Sequence, residues 1–227
     1  MTRTRMMIGT AAAVLLSGLI TAATAGDGLL PYPEEDFEGF YVGVNGGYGL
    51  GVVSDGNTGF SDLDIEGWLA GGQAGYSFVL DGGVVIGVEG SYDWANEVGT
   101  LGDGTTAIGI FDDATLTNTV NWQGDLVGRA GVSAGPIMLY GLGGVAVASN
   151  TIHIVGTNNG PVESEVTNTH LGWTAGAGVS AIMGQISTFI EYRYSDYGTA
   201  DYTPAVTDDP VGLTDQQIRL GFNYHMR

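Results

Sequence analysis

The chain has 227 residues, of which 40 are Gly and none is Cys. Its 6 Lys and Arg residues stand against 25 Asp and Glu residues, which gives a formal net charge of −19 at pH 7. So few cations cannot form a basic patch, which excludes nucleic acid as a partner, and the lack of Cys excludes a disulfide framework.

The first 25 residues have the pattern of a secretory signal peptide. A basic start precedes an apolar run from Met6 to Ala23, and residues 23–25 read Ala-Thr-Ala, which matches a small-residue cleavage site. A transmembrane anchor is the alternative, although the run is short and rich in Ala for that purpose. We expect Sec-type export with cleavage near Ala25/Gly26.

The segment after the cleavage site is acidic and contains two prolines. Residues 26–38 are therefore predicted to be an acidic periplasmic linker. Residues 39–227 are predicted to form one domain, because alternating apolar and polar residues run through this whole part of the chain.

Eight segments in this domain alternate with the two-residue period of a β-strand. In chain order, the predicted strands are about Phe40–Leu50, Gly67–Phe78, Val84–Trp94, Val120–Val132, Ile137–Val147, His170–Met183, Ile186–Tyr194 and a last strand in which Ile218, Leu220, Phe222, Tyr224 and Met226 alternate with polar residues. Tight turns are expected at 81–83, 134–136 and 184–185, where Gly recurs.

The second and third strands show what the two faces are made of. One face carries large apolar residues such as Tyr76, Phe78 and Val88, and the other carries Glu89, Asp93 and glycines. In a soluble sandwich or a lipocalin-like barrel the apolar face would be covered by protein. In a membrane barrel it would meet lipid, and the polar face would line a narrow lumen.

The connections favour the membrane barrel. Long polar segments are predicted at 52–65, 96–118, 149–169 and 195–214, and they alternate strictly with the three short turns. Outer-membrane barrels have long loops outside the cell and short periplasmic turns. The fold class is therefore predicted to be all-β, an eight-stranded antiparallel up-and-down transmembrane β-barrel.

All four Trp residues lie at the long-loop ends of predicted strands, on the apolar face. Trp residues gather at the boundary between lipid and water. The sequence therefore predicts one aromatic girdle, made of Trp68, Trp94, Trp122 and Trp173.

Several strand motifs together resemble a known family. They are Gly39-Phe40-Tyr41-Val42-Gly43-Val44-Asn45-Gly46-Gly47-Tyr48-Gly49, Gly144-Val145-Ala146, Gly172-Trp173-Thr174-Ala175-Gly176-Ala177-Gly178, Glu191-Tyr192-Arg193-Tyr194 and Arg219-Leu220-Gly221-Phe222-Asn223-Tyr224. The chain resembles the small outer-membrane β-barrels that include the OmpA membrane domain, and more narrowly the porin-family barrels of alphaproteobacteria. One departure is that Met226 and Arg227 stand where the family usually has a C-terminal aromatic residue. The resemblance implies a place in the outer membrane of a Gram-negative cell envelope.

Three of the four Arg residues that follow the signal peptide fall at inward positions of strands. Buried charges must be paired or solvated, so we expect a structural charge network in the lumen. Its predicted members are Glu89, Asp93, Asp125, Arg129, Glu191, Arg193 and Arg219. On strand 4, Asn121 is expected on the same inward face.

The expected function is a structural or surface-interaction role. A narrow porin for small solutes and a surface ligand-binding barrel of the haem type are the alternatives. No enzymatic site is predicted, because His153, His170 and His225 have no Ser at a convincing motif spacing. No metal site is predicted, because the acidic segments Asp62–Glu66 and Asp112-Asp113 lack the Gly and the ligand spacing of a calcium loop. No cofactor is predicted, because the Gly-rich strands contain neither a P-loop nor a dinucleotide-binding fingerprint. The expected partners are outer-membrane lipid and lipopolysaccharide, with bridging divalent cations as one option, and the outer-membrane assembly machinery.

Overall fold

The structure is a computed structural model that describes residues 37–55, 63–108, 111–157, 161–200 and 211–226. The predicted signal peptide and most of the predicted linker lie outside these residues. No helix within the described ranges is long and apolar enough to cross a membrane.

Eight strands follow one another along the chain, as predicted. Their bounds are β1 Gly39–Asp55, β2 Leu63–Leu80, β3 Val84–Ile108, β4 Phe111–Ala134, β5 Ile137–Thr157, β6 Pro161–Met183, β7 Ile186–Ala200 and β8 Val211–Met226. Each strand pairs with the next in antiparallel fashion, and β8 pairs with β1, so the sheet closes into a barrel. Closure leaves no free strand edge in the ring, which is what a β-structure in lipid requires.

The three short turns lie at one end of the barrel, where glycines supply the backbone angles. Gly82 and Gly83 have φ of 79° and 77°, and Gly135 and Gly184 have φ of 60° and 64°. Residues with side chains rarely adopt this conformation, which explains why Gly recurs at the tight reversals of the chain. We call this the turn end and the opposite end the loop end.

Alternation along the strands separates two faces. In β8, inward residues from Val211 to His225 are buried, while Ile218, Leu220 and Phe222 are half exposed or more. The exposed large apolar side chains come from every strand of the ring. A soluble domain rarely exposes so much apolar surface, so this pattern fits a barrel that is surrounded by lipid.

The strands are longer than predicted, which corrects the predicted loop bounds. β3 has 25 residues and β4 has 24, and they pair from the turn end up to Ile108 and Phe111. Much of the predicted loops 96–118 and 149–169 is therefore strand. These stretches are rich in Thr, Asn and Gly, and the apolar residues Ile152 and Ile154 point inward. They therefore lack the outward apolar residues by which the strands of a membrane barrel are recognised in a sequence.

The prediction that Asn121 faces the lumen is wrong. The pairing of β4 shifts by one residue between Val120 and Trp122, and a bulge of this kind moves the following side chains to the other face. Asn121 is exposed, and its Nδ2 donates to Thr151 Oγ1 at 2.8 Å on the outer surface. Asn118 and Val120 are buried in its place.

The interior of the barrel has three layers. An apolar cluster fills the turn end and consists of Phe37, Val85, Val127, Met138, Tyr140, Leu142 and Ile182. A larger apolar cluster fills the loop end and includes Val53, Leu63, Ile65, Val120, Ile152, Ile154, Val211 and Leu213. Charged and amide side chains lie between the two clusters. Phe37 belongs to the predicted linker, and its ring packs edge-on against His225 at 6.2 Å between centroids.

Candidate functional site

The middle layer brings together all seven side chains of the predicted charge network. β3 contributes Glu89 and Asp93, β4 Asp125 and Arg129, β7 Glu191 and Arg193, and β8 Arg219. Each is at an inward position, so the two-residue period directs them into one space. The ion pairs link β3 and β4 on one wall to β7 and β8 on the other.

Arg193 lies at the centre of the network. Its Nη2 is 3.0 Å from Glu89 Oε1, its Nη1 contacts Asp125 Oδ2, and its Nε contacts Glu191 Oε1. One guanidinium thus contacts carboxylates from three strands. The planar, always charged guanidinium, with its five fixed donors, suits such a position better than an ammonium group would.

Arg129 occupies the turn-end side of the same cluster. Its Nη1 lies 2.7 Å from Glu89 Oε2 and 2.9 Å from the hydroxyl of Tyr41. The Tyr41 hydroxyl donates to Glu89 Oε2 at 2.8 Å, and the Arg129 guanidinium carbon lies 4.0 Å from the ring centroid of Tyr140. The cation is therefore held by a carboxylate, a hydroxyl and an aromatic face.

Arg219 occupies the loop-end side. Its Nη2 is 2.8 Å from Asp93 Oδ2 and its Nη1 is 3.7 Å from Asp125 Oδ2. Asp125 also accepts a hydrogen bond from Ser91 at 2.7 Å. Every Arg of the network therefore has at least one carboxylate within ion-pair distance, which offsets the cost of burying the charge.

Glycines on neighbouring strands provide the space for these long side chains. A Cβ at Gly75 would lie 2.4 Å from the Tyr41 hydroxyl oxygen, and one at Gly178 would lie 2.6 Å from that of Tyr140. Both distances are far below a normal contact, so these positions tolerate only Gly while the tyrosines keep their places. The glycines of these strands therefore provide the space that the side chains of the charged layer need.

Two features of the interior were missing from the sequence analysis. Tyr41 was not among the predicted network residues, although the two-residue period puts it opposite the outward Phe40. At the turn end, Ser187 Oγ lies 2.9 Å from His225 Nε2. Both side chains are buried and Phe37 packs over the imidazole, so a substrate has no access to this hydroxyl.

The other two histidines lie in different parts of the barrel. His153 pairs with Glu163 at 3.0 Å on the outer surface, while His170 is buried at the loop end. No group of three or more His, Asp or Glu side chains is arranged to hold a metal ion in the part of the chain that the structure describes. Asp64 and Glu66 point outward from β2 rather than into a ligand loop.

The four Trp residues lie on the outer surface near the loop-end boundary of the apolar band. Trp68, Trp94 and Trp173 are exposed by 73%, 67% and 49%, and Trp122 is half buried. The ring of Trp122 stacks on Tyr92, with centroids 5.7 Å apart. Trp94 and Trp122 are directly paired between β3 and β4.

Comparison with known proteins was consistent with this architecture. The family model described as "Outer membrane protein beta-barrel domain" matches residues 11–225. The 22 kDa outer membrane protein of Rhizobium leguminosarum bv. viciae is 31% identical over 192 residues, which cover 83% of this chain and 78% of that protein. The 25 kDa outer-membrane immunogenic protein of Brucella abortus biovar 1 is 32% identical over 195 residues, with coverages of 85% and 80%.

A solved structure shows the same fold at low identity. The outer membrane protease OmpT of Escherichia coli superposes with a TM-score of 0.53 at 7% identity, covering 87% of this chain and 99% of that one. A likeness at this identity concerns the fold and not the activity. The family match and the two relatives carry the assignment: the chain belongs to the outer membrane protein β-barrel domain family and is a β-barrel protein of the cell outer membrane.

Proposed function

We propose that this protein is a closed barrel that conducts no solute and serves a structural or surface-interaction role in the outer membrane. The observation that carries the proposal is the three-layered interior. A porin needs a continuous aqueous path, and here charged side chains meet across the middle of the lumen while apolar clusters fill both ends. An eight-stranded barrel has little more room than its own side chains need.

The paired charges support a structural role for the middle layer. An isolated charge in this space would pay a large desolvation cost, and each Arg instead has carboxylate partners at ion-pair distance. Because the partners come from different strands, the network ties the two walls of the barrel together. We infer that it contributes to the stability and to the uniqueness of the strand arrangement.

The surface side of the proposal rests on the loop end. Strand β3 continues from Trp94 to Ile108 and β4 begins at Phe111, well before the paired Trp122, so both strands project beyond the apolar band. The loop-end part of β6 carries the exposed acids Glu163 and Glu165. We propose that it contacts lipopolysaccharide, with divalent cations bridging its phosphates to these acids, after insertion by the outer-membrane assembly machinery.

Planar-bilayer recording on the refolded mature protein tests the proposal. We expect no stable conductance steps at neutral pH in 1 M KCl, because no hydrated path crosses the three layers. Reproducible open steps from the wild-type protein would contradict the closed barrel and support the narrow porin. A Soret shift on titration with haem would instead favour a ligand-binding role.

A further inference from the structure

Two more carboxylates lie beside the charged layer, toward the loop end. Glu97 of β3 is 1% exposed and Asp215 of β8 is 2% exposed. Within the described residues, neither is within ion-pair distance of an Arg or His side chain, unlike the acids of the charge network. Hydrogen bonds through the side chains of Gln123 and Gln217 link the two carboxyl groups, so two acids are buried near one another.

The strand register explains how side chains from β3 and β8 meet. Glu97 pairs with Gly67 of β2, which pairs with Gly49 of β1. A Cβ at Gly49 would lie 2.3 Å from Glu97 Oε1, so the carboxylate extends over two glycines and rests against β1. Asp215 pairs with Gly51 of β1 from the other side. Glu97 therefore reaches β1 from one side, and Asp215 adjoins the next inward position of β1 from the other.

Amide and hydroxyl groups orient this pair. Gln123 Nε2 donates to Glu97 Oε1 at 3.2 Å, and Gln217 Nε2 donates to Asp215 Oδ2 at 2.5 Å and to Gln123 Oε1 at 2.8 Å. The Tyr197 hydroxyl donates to Gln123 Oε1 at 2.5 Å. These bonds fix one oxygen of each carboxylate within an uncharged frame.

One carboxylate oxygen in this frame has no partner. Backbone groups of Gln216 and Leu50 hydrogen-bond to the Asp215 carboxyl group, while its buried Oδ1 atom has no hydrogen-bond partner among the described residues. An unpartnered carboxylate oxygen beside a second carboxylate costs free energy unless a shared proton or a metal cation neutralises the pair. The calcium experiment below distinguishes the two.

The charge balance of the interior points the same way. Among the described inward residues, the acids are Glu89, Asp93, Glu97, Asp125, Glu191 and Asp215, and the cations are Arg129, Arg193 and Arg219. Acids thus outnumber arginines two to one, and the excess is concentrated in the pair without an arginine. Hard oxygen donors such as these are the ligands that Ca²⁺ takes in proteins.

We propose that Glu97 and Asp215 bind one divalent cation of the calcium class at the loop end of the lumen. The Asp215 Oδ1 atom and the Glu97 carboxylate supply the charge, and neutral oxygens of the frame or water complete the shell. With two carboxylates, the site is smaller than a cluster of three acidic or His ligands. Glu97 and Asp215 could bind a cation whether or not the barrel conducts ions.

Calcium titration of the refolded, chelator-treated mature protein tests this site. The readouts are the stoichiometry by isothermal calorimetry and the thermal unfolding midpoint with and without 5 mM CaCl₂, at pH 7.5 in 0.15 M NaCl, which screens weak binding to surface acids. The variants are Glu97→Gln and Asp215→Asn. The matched control is Asp81→Asn, which changes an exposed acid in a turn.

We expect one calcium ion per chain, with a dissociation constant on the order of 10⁻⁴–10⁻³ M as in extracellular sites. Calcium should raise the unfolding midpoint of the wild type and of Asp81→Asn. In Glu97→Gln and Asp215→Asn, both the binding of one calcium ion and the rise of the midpoint should be lost. No calcium effect on the wild type would overturn the proposal and indicate that the carboxyl pair shares a proton. Equal shifts in all four proteins would also overturn it, since surface acids would then be the binders.

Discussion

At the scale of single residues, long side chains of the interior lie beside glycines on neighbouring strands. Arg193 contacts three carboxylates and passes Gly176 on the neighbouring strand, where a Cβ would lie 3.2 Å from its Cγ. Tyr41 likewise reaches Glu89 because Gly75 on the neighbouring strand has no Cβ. The glycines of this sequence are thus not evidence of flexibility. At inward positions they are the sites over which long polar side chains cross the lumen.

Gly75→Ala tests this arrangement. The added Cβ would lie 2.4 Å from the Tyr41 hydroxyl oxygen and 2.6 Å from the carbonyl oxygen of Val88, so we expect a loss of about 1–3 kcal/mol in unfolding free energy, as for overpacked cores. The measurement is urea unfolding of protein refolded in lipid vesicles. Gly90→Ala is the matched control, because its Cβ would meet no atom closer than 3.7 Å. Equal losses in the two variants would refute the packing argument.

At the scale of strands, two-residue alternation is the feature that the sequence reveals best. It predicts the number of strands, their order, the turns and the inward residues of the charged layer. It fails in the upper part of β3 and β4, where the sequence no longer alternates between apolar and polar residues, and where a bulge breaks the period at Asn121. In both cases the apolar residues no longer distinguish the outward face from the inward face, so neither strand length nor side-chain direction could be predicted.

The position of a strand residue relative to the apolar band determines what a charge costs there. Val88 lies on the outer face of β3 in its lower half and is 57% exposed, so Val88→Arg should lose about 2–4 kcal/mol of unfolding free energy in lipid vesicles. Val155 is exposed on the projecting part of β5, ten residues beyond Val145, and Val155→Arg should change stability by about 0–1 kcal/mol. Equal losses of unfolding free energy for the two variants would show that the apolar band does not end between Val88 and Val155.

At the scale of the whole molecule, the contacts that close the lumen depend on which strands face each other across the ring. Glu89 and Arg193 are on strands with three strands between them on either side of the ring. The sequence indicates that both face inward, but the stagger of the strands determines whether they reach the same height. Their contact could therefore not be derived from alternation alone.

Charged side chains from opposite walls meet in the middle of the barrel and close it. A double-mutant cycle tests this contact directly. The variants are Glu89→Gln, Arg193→Met and the combination, with unfolding free energies measured in lipid vesicles. A parallel cycle on the exposed pair His153–Glu163, with His153→Gln and Glu163→Gln, provides the control and should couple by less than about 1 kcal/mol. Because Arg193 Nη2 lies 3.0 Å from Glu89 Oε1, we predict a coupling of about 1–3 kcal/mol for the lumen pair. A coupling near zero would show that the two side chains do not meet and that water fills the space between the walls.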